Sequence, residues 1–510
     1  MNRRSKTVVS IFFGLLYSFA MIYSNYGTQL FVFHVFLYVL RFVAVFSLFY
    51  FFLIPAVYNH SYLSRIFTQE RGDYYKLSDK VKIYLLFAVC WLPALIIKYP
   101  SSVDYDSWVA IIQYQNKLIN GMQPVFFAVM LGKILDWFGQ EIGFFLFSVL
   151  QYLIMIFTFG RIISYIKSLG VTRKVRGFLL FIFIISPFTL GYIGVTLKDI
   201  IYSLALVNMV VCLLRIIESK TVLIRDIVEI LIWGTVTILF RNNGIHLMIL
   251  LTVFYMVEVI RKKVQVKPLL AFVSAIVLGI SIVQAITVAY EVKKPDYAAR
   301  EMLSIPFQQT ARYVRDYGYD VTDGEKEIIG KVLAYDELAE KYDPKRSDDV
   351  KEGYSGDSES LKPYFKVWFS QFLRHPACYI HAFWEQNHYM FDIVSSTENY
   401  RFFDDSLRLA DIVFSSICFT NMKLPITWIN SNLALSCYIV LFSWVIAHYV
   451  KRKRSLIYYL ALFITMIIAL AGPVIQGHPR YLFPVIYSAP LILIRELRNI
   501  KDDADHPCKA

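Results

Sequence analysis

Apolar runs close to twenty residues long recur along this 510-residue chain, and KIYLLFAVCWLPALII at 82–97 is representative of them. A run of that length crosses about 30 Å of hydrocarbon as a helix, the conformation that satisfies its own backbone without water. Composition agrees: 57% of residues are hydrophobic and 18% charged, with mean hydropathy +0.50. A soluble chain carries about 25% charged residues. The expected fold class is therefore an all-α polytopic membrane protein. The 36 tyrosines and 41 phenylalanines suit lipid-facing helices with interfacial anchors.

About twelve transmembrane helices are predicted, near 7–23, 30–57, 82–98, 142–166, 177–195, 199–217, 226–240, 245–260, 268–290, 428–449, 456–474 and 481–494. Lysines and arginines gather in short loops between them, including 167–176, 220–225, 261–267 and 451–454. If the twelve spans alternate, all of these loops and both termini face the cytoplasm, as the positive-inside bias requires. The net charge of +13 is thus explained by topology, and nucleic acid is not an expected partner. Counting PVFFAVMLGKILDWF (124–138) as a further span would turn four basic loops outward. It is therefore read as an interfacial or re-entrant helix on the outer face, as is 104–118.

The resulting organisation has five parts: two helices and a cytoplasmic loop (1–80), a transmembrane core with its first outer loop at 99–141 (81–290), a mainly helical extracytoplasmic domain and interfacial segment (291–427), the last spans (428–495), and a cytoplasmic tail (496–510). The stretch at 342–360 reads as an irregular loop, and 406–425 as amphipathic. Six cysteines show neither a pairing pattern nor a CxxC. No Walker A loop, GxSxG elbow, HExxH or helix-opening GxGxxG is present, so ATP-driven transport and soluble hydrolase chemistry have no footing.

The informative residues are polar groups at the outer helix ends, where unpaired charge is costly. Asp104 and Asp106 lie in YPSSVDYDSW, just past a span. Asp106 suits a general base and Asp104 a helper; the alternative makes Asp104 the N-cap and Asp106 the acidic first turn of a helix. Lys198–Asp199 joins two spans in TLKD, as a phosphate ligand with its orienting carboxylate or as a local ion pair. Arg241 and Asn243 in LFRNNG form a candidate anion clamp, while His246 reads as a packing histidine. His478, Arg480 and Tyr481 in QGHPRYLFP could hold a phosphate headgroup, or Arg480 and Tyr481 could anchor the interface. Asp104 and Asp106 could also hold a divalent metal, though nothing in the sequence requires a cofactor.

Taken together, YPSSVDYDSW, MQP, TLKD, LFRNNG, IPFQQTARYV and RYLFP resemble the GT-C superfamily of integral-membrane glycosyltransferases, nearest a bacterial branch of cell-surface enzymes. The resemblance runs over most of 80–495. It implies a polyprenyl-phosphate-linked sugar donor and a glycan, teichoic acid, lipid or protein acceptor glycosylated at the outer face of the cell membrane. Asp106 matches the position of the family's catalytic aspartate, and Lys198, Arg241 and Arg480 fall where basic residues hold the donor phosphate. Gln123–Pro124 departs from the His-Pro that often opens the family's interfacial helix, and the first two spans are additional. A lipid-linked glycan polymerase or ligase would use similar arginines without the aspartate base. A glycolipid flippase would place its polar groups mid-span.

Overall fold

The computed structural model describes residues 1–25, 31–67, 70–72, 74, 80–219, 221–293, 300–393, 432–449, 455–472 and 476–505. Among the described residues the fold is all-α apart from one pair of two-residue strands. In chain order the main helices are α1 (Arg3–Asn25), α2 (Phe31–Ser47, prolonged by a π-helical turn Leu48–Leu53), α3 (Lys80–Ile97), α4 (Tyr105–Gln115), α5 (Val125–Ser168), α6 (Arg173–Ile185), α7 (Pro187–Tyr192), α8 (Lys198–Glu218), α9 (Ile224–Phe240), α10 (Gly244–Ile260), α11 (Lys267–Ala289), α12 (Ser304–Tyr317), α13 (Asp323–Gly330), α14 (Ser358–Arg374), α15 (Pro376–Asn387), α16 (Leu433–Tyr449), α17 (Ile457–Ala471) and α18 (Phe483–Asp505). The strands are β1 (Ser102–Val103) and β2 (Val195–Thr196).

Among the described residues, six segments are long and apolar enough to cross a membrane: Arg3–Ile22, Phe36–Val57, Lys80–Ile97, Val125–Ser168, Lys198–Glu218 and Lys267–Ala289. Gly244–Ile260, Leu433–Tyr449 and Ile457–Ala471 are shorter apolar helices. On α3 the exposed side chains Val81, Leu85, Val89, Leu92 and Ile96 fall on one face. Such a stripe is stable only against a non-aqueous solvent, which is the packing signature of a membrane protein. The central helix α8 behaves oppositely. Its apolar stretch is 94% buried, because α5, α9, α17 and α18 enclose it.

Three stretches differ from the sequence expectation. The single span at 177–195 is two helices, α6 and α7, parted where Ser186 caps the second and Pro187 starts it without needing an N–H bond, after which the chain runs into β2. Residues 124–138 and 142–166 form one long element, α5, bent at Gly139, whose φ of +75° lies in the left-handed region that glycine adopts freely. The last helix does not stop near 494 but runs to Asp505, so most of the expected tail is helical and bonded. Arg71 pairs with Asp502 at 2.8 Å and with Glu218 at 3.2 Å, and Arg495 pairs with Glu218 at 3.2 Å. The amphipathic segment 406–425 and the basic loop 451–454 lie outside the described residues.

Residues 304–387 form a helical domain with its own core, in which Phe307, Tyr313, Val332, Leu333, Tyr364 and Tyr379 are buried together. Even the stretch read as irregular is ordered there, with a helical turn at Asp348–Lys351 and a bridge between Asp343 and Arg346.

One close approach fixes the start of α10. A Cβ on Gly244 would press into the carbonyl of Thr237, a backbone atom of α9 that cannot swing aside. Gly244→Ala is expected to cost about 1–3 kcal/mol through the forced backbone shift. Thermal unfolding in detergent reads this as a lower midpoint, and an unchanged midpoint would show that the α9–α10 corner yields freely.

Candidate functional site

Two loops distant in sequence are zipped together by the strand pair. Ser102 aligns with Val195 and Val103 with Thr196 in parallel register. Side chains lock the joint: Ser107 Oγ donates to the Thr196 carbonyl at 2.8 Å, Ser101 Oγ and Thr196 Oγ1 share a 2.8 Å bond, and Ser148 Oγ donates to Ser101 Oγ at 2.9 Å. Gln151 of α5 donates through Nε2 to the carbonyls of Tyr192 and Val195, each at 3.0 Å. The register brings the first turn of α4 beside the first turn of α8, and so Asp106 to Lys198. No role for these scaffold residues could be read from the sequence, because single serines, threonines and glutamines, in a loop or within a helix, carry no periodic signal of what they bond to.

Asp104 is the N-cap of α4, accepting from the Asp106 N–H at 3.1 Å. Lys198 Nζ donates to Asp106 Oδ2 at 2.7 Å. Arg480, from the turn Pro479–Leu482, enters between the carboxylates, with Nη1 3.2 Å from Asp104 Oδ1 and 3.3 Å from Asp106 Oδ2, and Nε 3.9 Å from Asp199 Oδ2. Arg241 at the end of α9 closes the ring, 3.6 Å from Asp199 Oδ1. The face of Tyr481 receives both guanidiniums, Arg241 at 5.7 Å and Arg480 at 5.4 Å from its centroid. His478 sets its ring 5.7 Å from that of Tyr481, and its Nδ1 is buried without a hydrogen-bond partner among the described residues, as is Arg480 Nε. Three cations and three carboxylates thus meet at one end of the bundle, drawn from α4, α8, α9 and the turn before α18.

Burial raises a carboxyl's affinity for its proton, and at Asp106 the charges of Lys198 and Arg480 outweigh it and hold the group well below the usual carboxylate range. Asp104 goes the other way: burial, aided by the Asp106 charge, pushes it up against the pull of Arg480. Burial and the neighbouring Arg480 keep His478 neutral. A carboxyl raised in the folded state binds more protons there than when unfolded, so its contribution to stability falls as pH climbs from the ordinary value of about 3.9 through the raised one. Asp104→Asn keeps a capping oxygen and abolishes that fall, with no more than about 1 kcal/mol of change at pH 7 because Arg480 retains Asp106 and Asp199. Unfolding midpoints of both proteins from pH 4 to pH 7 test this, and parallel curves would contradict it.

Most of the sequence-expected residues therefore converge: Asp104, Asp106, Lys198, Asp199, Arg241, His478, Arg480 and Tyr481. Asn243 does not. It is exposed at the head of α10, and its neighbour Asn242 instead donates through Nδ2 to the carbonyls of Gly121 and Met122, each at 3.1 Å. His246 is exposed and so is not a packing residue. The carboxylates do not fit a divalent metal in this arrangement, since Arg480 Nη1 stands where Asp104 Oδ1 and Asp106 Oδ2 would share an ion. A second group, Cys212, Asp226 and Glu229, has ligand atoms within 4.8 Å of one another. Glu229 already accepts from Arg161, Arg215 and Arg225, so that set balances arginines and is no cation site.

Residues 122–509, about three quarters of the sequence, match a family described as a family of unknown function (DUF6020). The chain belongs to that family. The matched region carries Lys198, Asp199, Arg241, His478 and Arg480, while Asp104 and Asp106 precede it. No curated protein and no solved structure matches.

Gln476, which opens QGHPRYLFP, ties the site to the 304–387 domain, a role that its place in the motif does not reveal. Gln476 donates its backbone N–H to the Lys345 carbonyl at 2.9 Å and its side-chain Nε2 to the Glu385 carbonyl at 2.5 Å, four residues before Arg480.

Proposed function

We propose that this protein is an integral-membrane glycosyltransferase of GT-C type, which moves a sugar from a polyprenyl-phosphate-linked donor to a hydroxyl of a cell-envelope acceptor on the outer face of the cell membrane. The observation that carries this reading is the ring of Asp106, Lys198, Arg241 and Arg480 at one end of the bundle. It combines a carboxylate that can take a proton with cations that can take a phosphate. With the basic loops and both termini in the cytoplasm, that end faces outward, where nucleotide sugars are absent and lipid-linked donors serve instead.

In the proposed reaction the acceptor oxygen bonds to the anomeric carbon as the bond from that carbon to the phosphate oxygen breaks. Asp106 receives the hydroxyl proton, and the electron pair leaves with the lipid phosphate beside Lys198, Arg241 and Arg480. Before substrate arrives, Asp106 is a weak base because its charge is spent on Lys198 and Arg480. A donor phosphate competes for the same two cations. As they turn towards it, the carboxylate loses its partners and its proton affinity rises, which couples base strength to donor occupancy.

The arginines of this ring also suit a lipid-linked glycan polymerase or ligase, and a flippase remains the non-enzymatic counterpart. Purified protein in nanodiscs, given undecaprenyl-phosphate-linked sugars and a cell-wall glycan acceptor, separates these. A new glycosidic bond with release of undecaprenyl phosphate supports the proposal. Movement of the lipid-linked sugar between leaflets of a vesicle without a new bond would overturn it.

A further inference from the structure

Helix α14 carries two different faces. Tyr364, Val367 and Gln371 are buried in the core of the 304–387 domain. The opposite face presents Phe365, Phe369 and Leu373, 37%, 53% and 63% exposed, at intervals of four residues. Lys362 and Lys366 stand exposed along the same side. Water is a poor solvent for such a row, and a monomeric aqueous domain rarely shows one. On α15, the next helix, Ile380 is 45% exposed and Trp384 lies one turn further on the same face. Trp384 packs edge-on against Phe19, with ring centroids 5.0 Å apart. Phe19 is near the end of a segment long enough to span a membrane, and the exposed Phe12 and Leu15 precede it on that helix. The domain that carries the α14 row is therefore fastened by Trp384 to α1, beside a segment long enough to span a membrane.

We propose that α14 is an interfacial helix that lies in the headgroup layer of the bilayer, its Phe365, Phe369 and Leu373 seated among acyl chains and Lys362 and Lys366 reaching up to anionic lipid phosphates. The exposed side has what such a helix presents to a bilayer, a bulky apolar row with lysines among and beside it that can snorkel, while the opposite side is packed on the domain core. Lipid is the occupant because the domain is fastened at Trp384 to Phe19, near the end of an apolar segment long enough to span a membrane, and because the exposed lysines on the side of the row suit anionic headgroups. It holds the domain by two edges, the α1 junction at Trp384 and the α14 stripe. The inference is independent of the glycosyltransferase reading and needs only the membrane.

The test places the photoreactive residue p-benzoylphenylalanine at Phe369, and separately at Glu327 on α13, in the full chain reconstituted into nanodiscs of phosphatidylcholine and phosphatidylglycerol. Irradiation and mass spectrometry are expected to give lipid adducts at 369 and none at 327. Probing at Leu373 in a Phe365→Asp/Phe369→Asp background should lower the lipid adduct roughly tenfold or more, because the carboxylates remove the apolar drive for insertion. Both aspartates replace exposed side chains, so the domain core is retained. Adducts at 369 to residues 394–431 of the same chain would assign the stripe to an intramolecular partner and overturn the proposal. Adducts to a second copy, or no adduct at all, would overturn it equally.

Discussion

Asp106→Asn is expected to abolish sugar transfer, with a loss on the order of 100- to 10,000-fold, the range a positioned general base supplies. The same change also strips Lys198 of its nearest counterion. Lys198 is 8% exposed, and breaking a buried pair from one side costs about 3–5 kcal/mol. Asp106 keeps 23% of its surface, which places the loss toward the lower figure. Activity and folding therefore fall together, and the single variant alone does not separate them. Asp106→Asn/Lys198→Met does. Removing both charges returns most of the stability, because two charges that need no burial replace nothing that packing requires, yet the base is still missing. The unfolding midpoint should recover while transfer does not. Lys198→Met alone should weaken the apparent affinity for donor more than it slows turnover. If the double variant recovers transfer along with its midpoint, Asp106 is only an anion that balances Lys198.

The second large effect lies at the other end of the bundle. Glu229 binds Arg161 Nη2 at 2.5 Å, Arg225 Nε at 3.0 Å and Arg215, and Arg161 also donates to Asn208 Oδ1 at 2.7 Å. Arg161 is fully buried and Arg215 is 3% exposed. Glu229→Gln leaves two buried guanidiniums with one carboxylate, Asp226, 3.5 Å from Arg215, and is expected to cost about 3–5 kcal/mol. Arg161→Met/Glu229→Gln should regain most of it, since Arg215 then keeps Asp226. Thermal unfolding in detergent measures both. Specific activity per folded molecule should be unaltered, because α8 puts Arg215 and Lys198 at opposite ends of a helix about 30 Å long. A wild-type midpoint for Glu229→Gln would show that water or lipid phosphate already reaches these arginines.

Helical character and the long apolar segments were legible because a run such as 82–97 has one stable use. Span number was less so. Between Ser186 and Thr196 the hydropathy stays high while Pro187 and the β2 pairing break the helix, and hydropathy does not register a hydrogen-bond pattern. The candidate site could be collected from the sequence as polar and charged groups stranded at helix ends, and eight of those residues meet. What the sequence withheld was how they meet. The parallel register of 102–103 with 195–196, the serine and glutamine clamps, and the insertion of Arg480 between two aspartates all depend on tertiary proximity. Asn243 was included because it adjoins Arg241, but neighbours in sequence at a helix start point in different directions, and only Arg241 turns inward.

The two bonds of Gln476 have a thermodynamic corollary. They fasten the turn that carries Arg480 to Lys345 and Glu385, residues of a separately folded domain. A ligand that pulled the backbone of the Arg480 turn, and not only its guanidinium, would work against that tether. Reciprocity then runs the other way. A ligand of the domain that shifted this turn would be coupled to a ligand of Arg480, and the coupling would be equal in both directions.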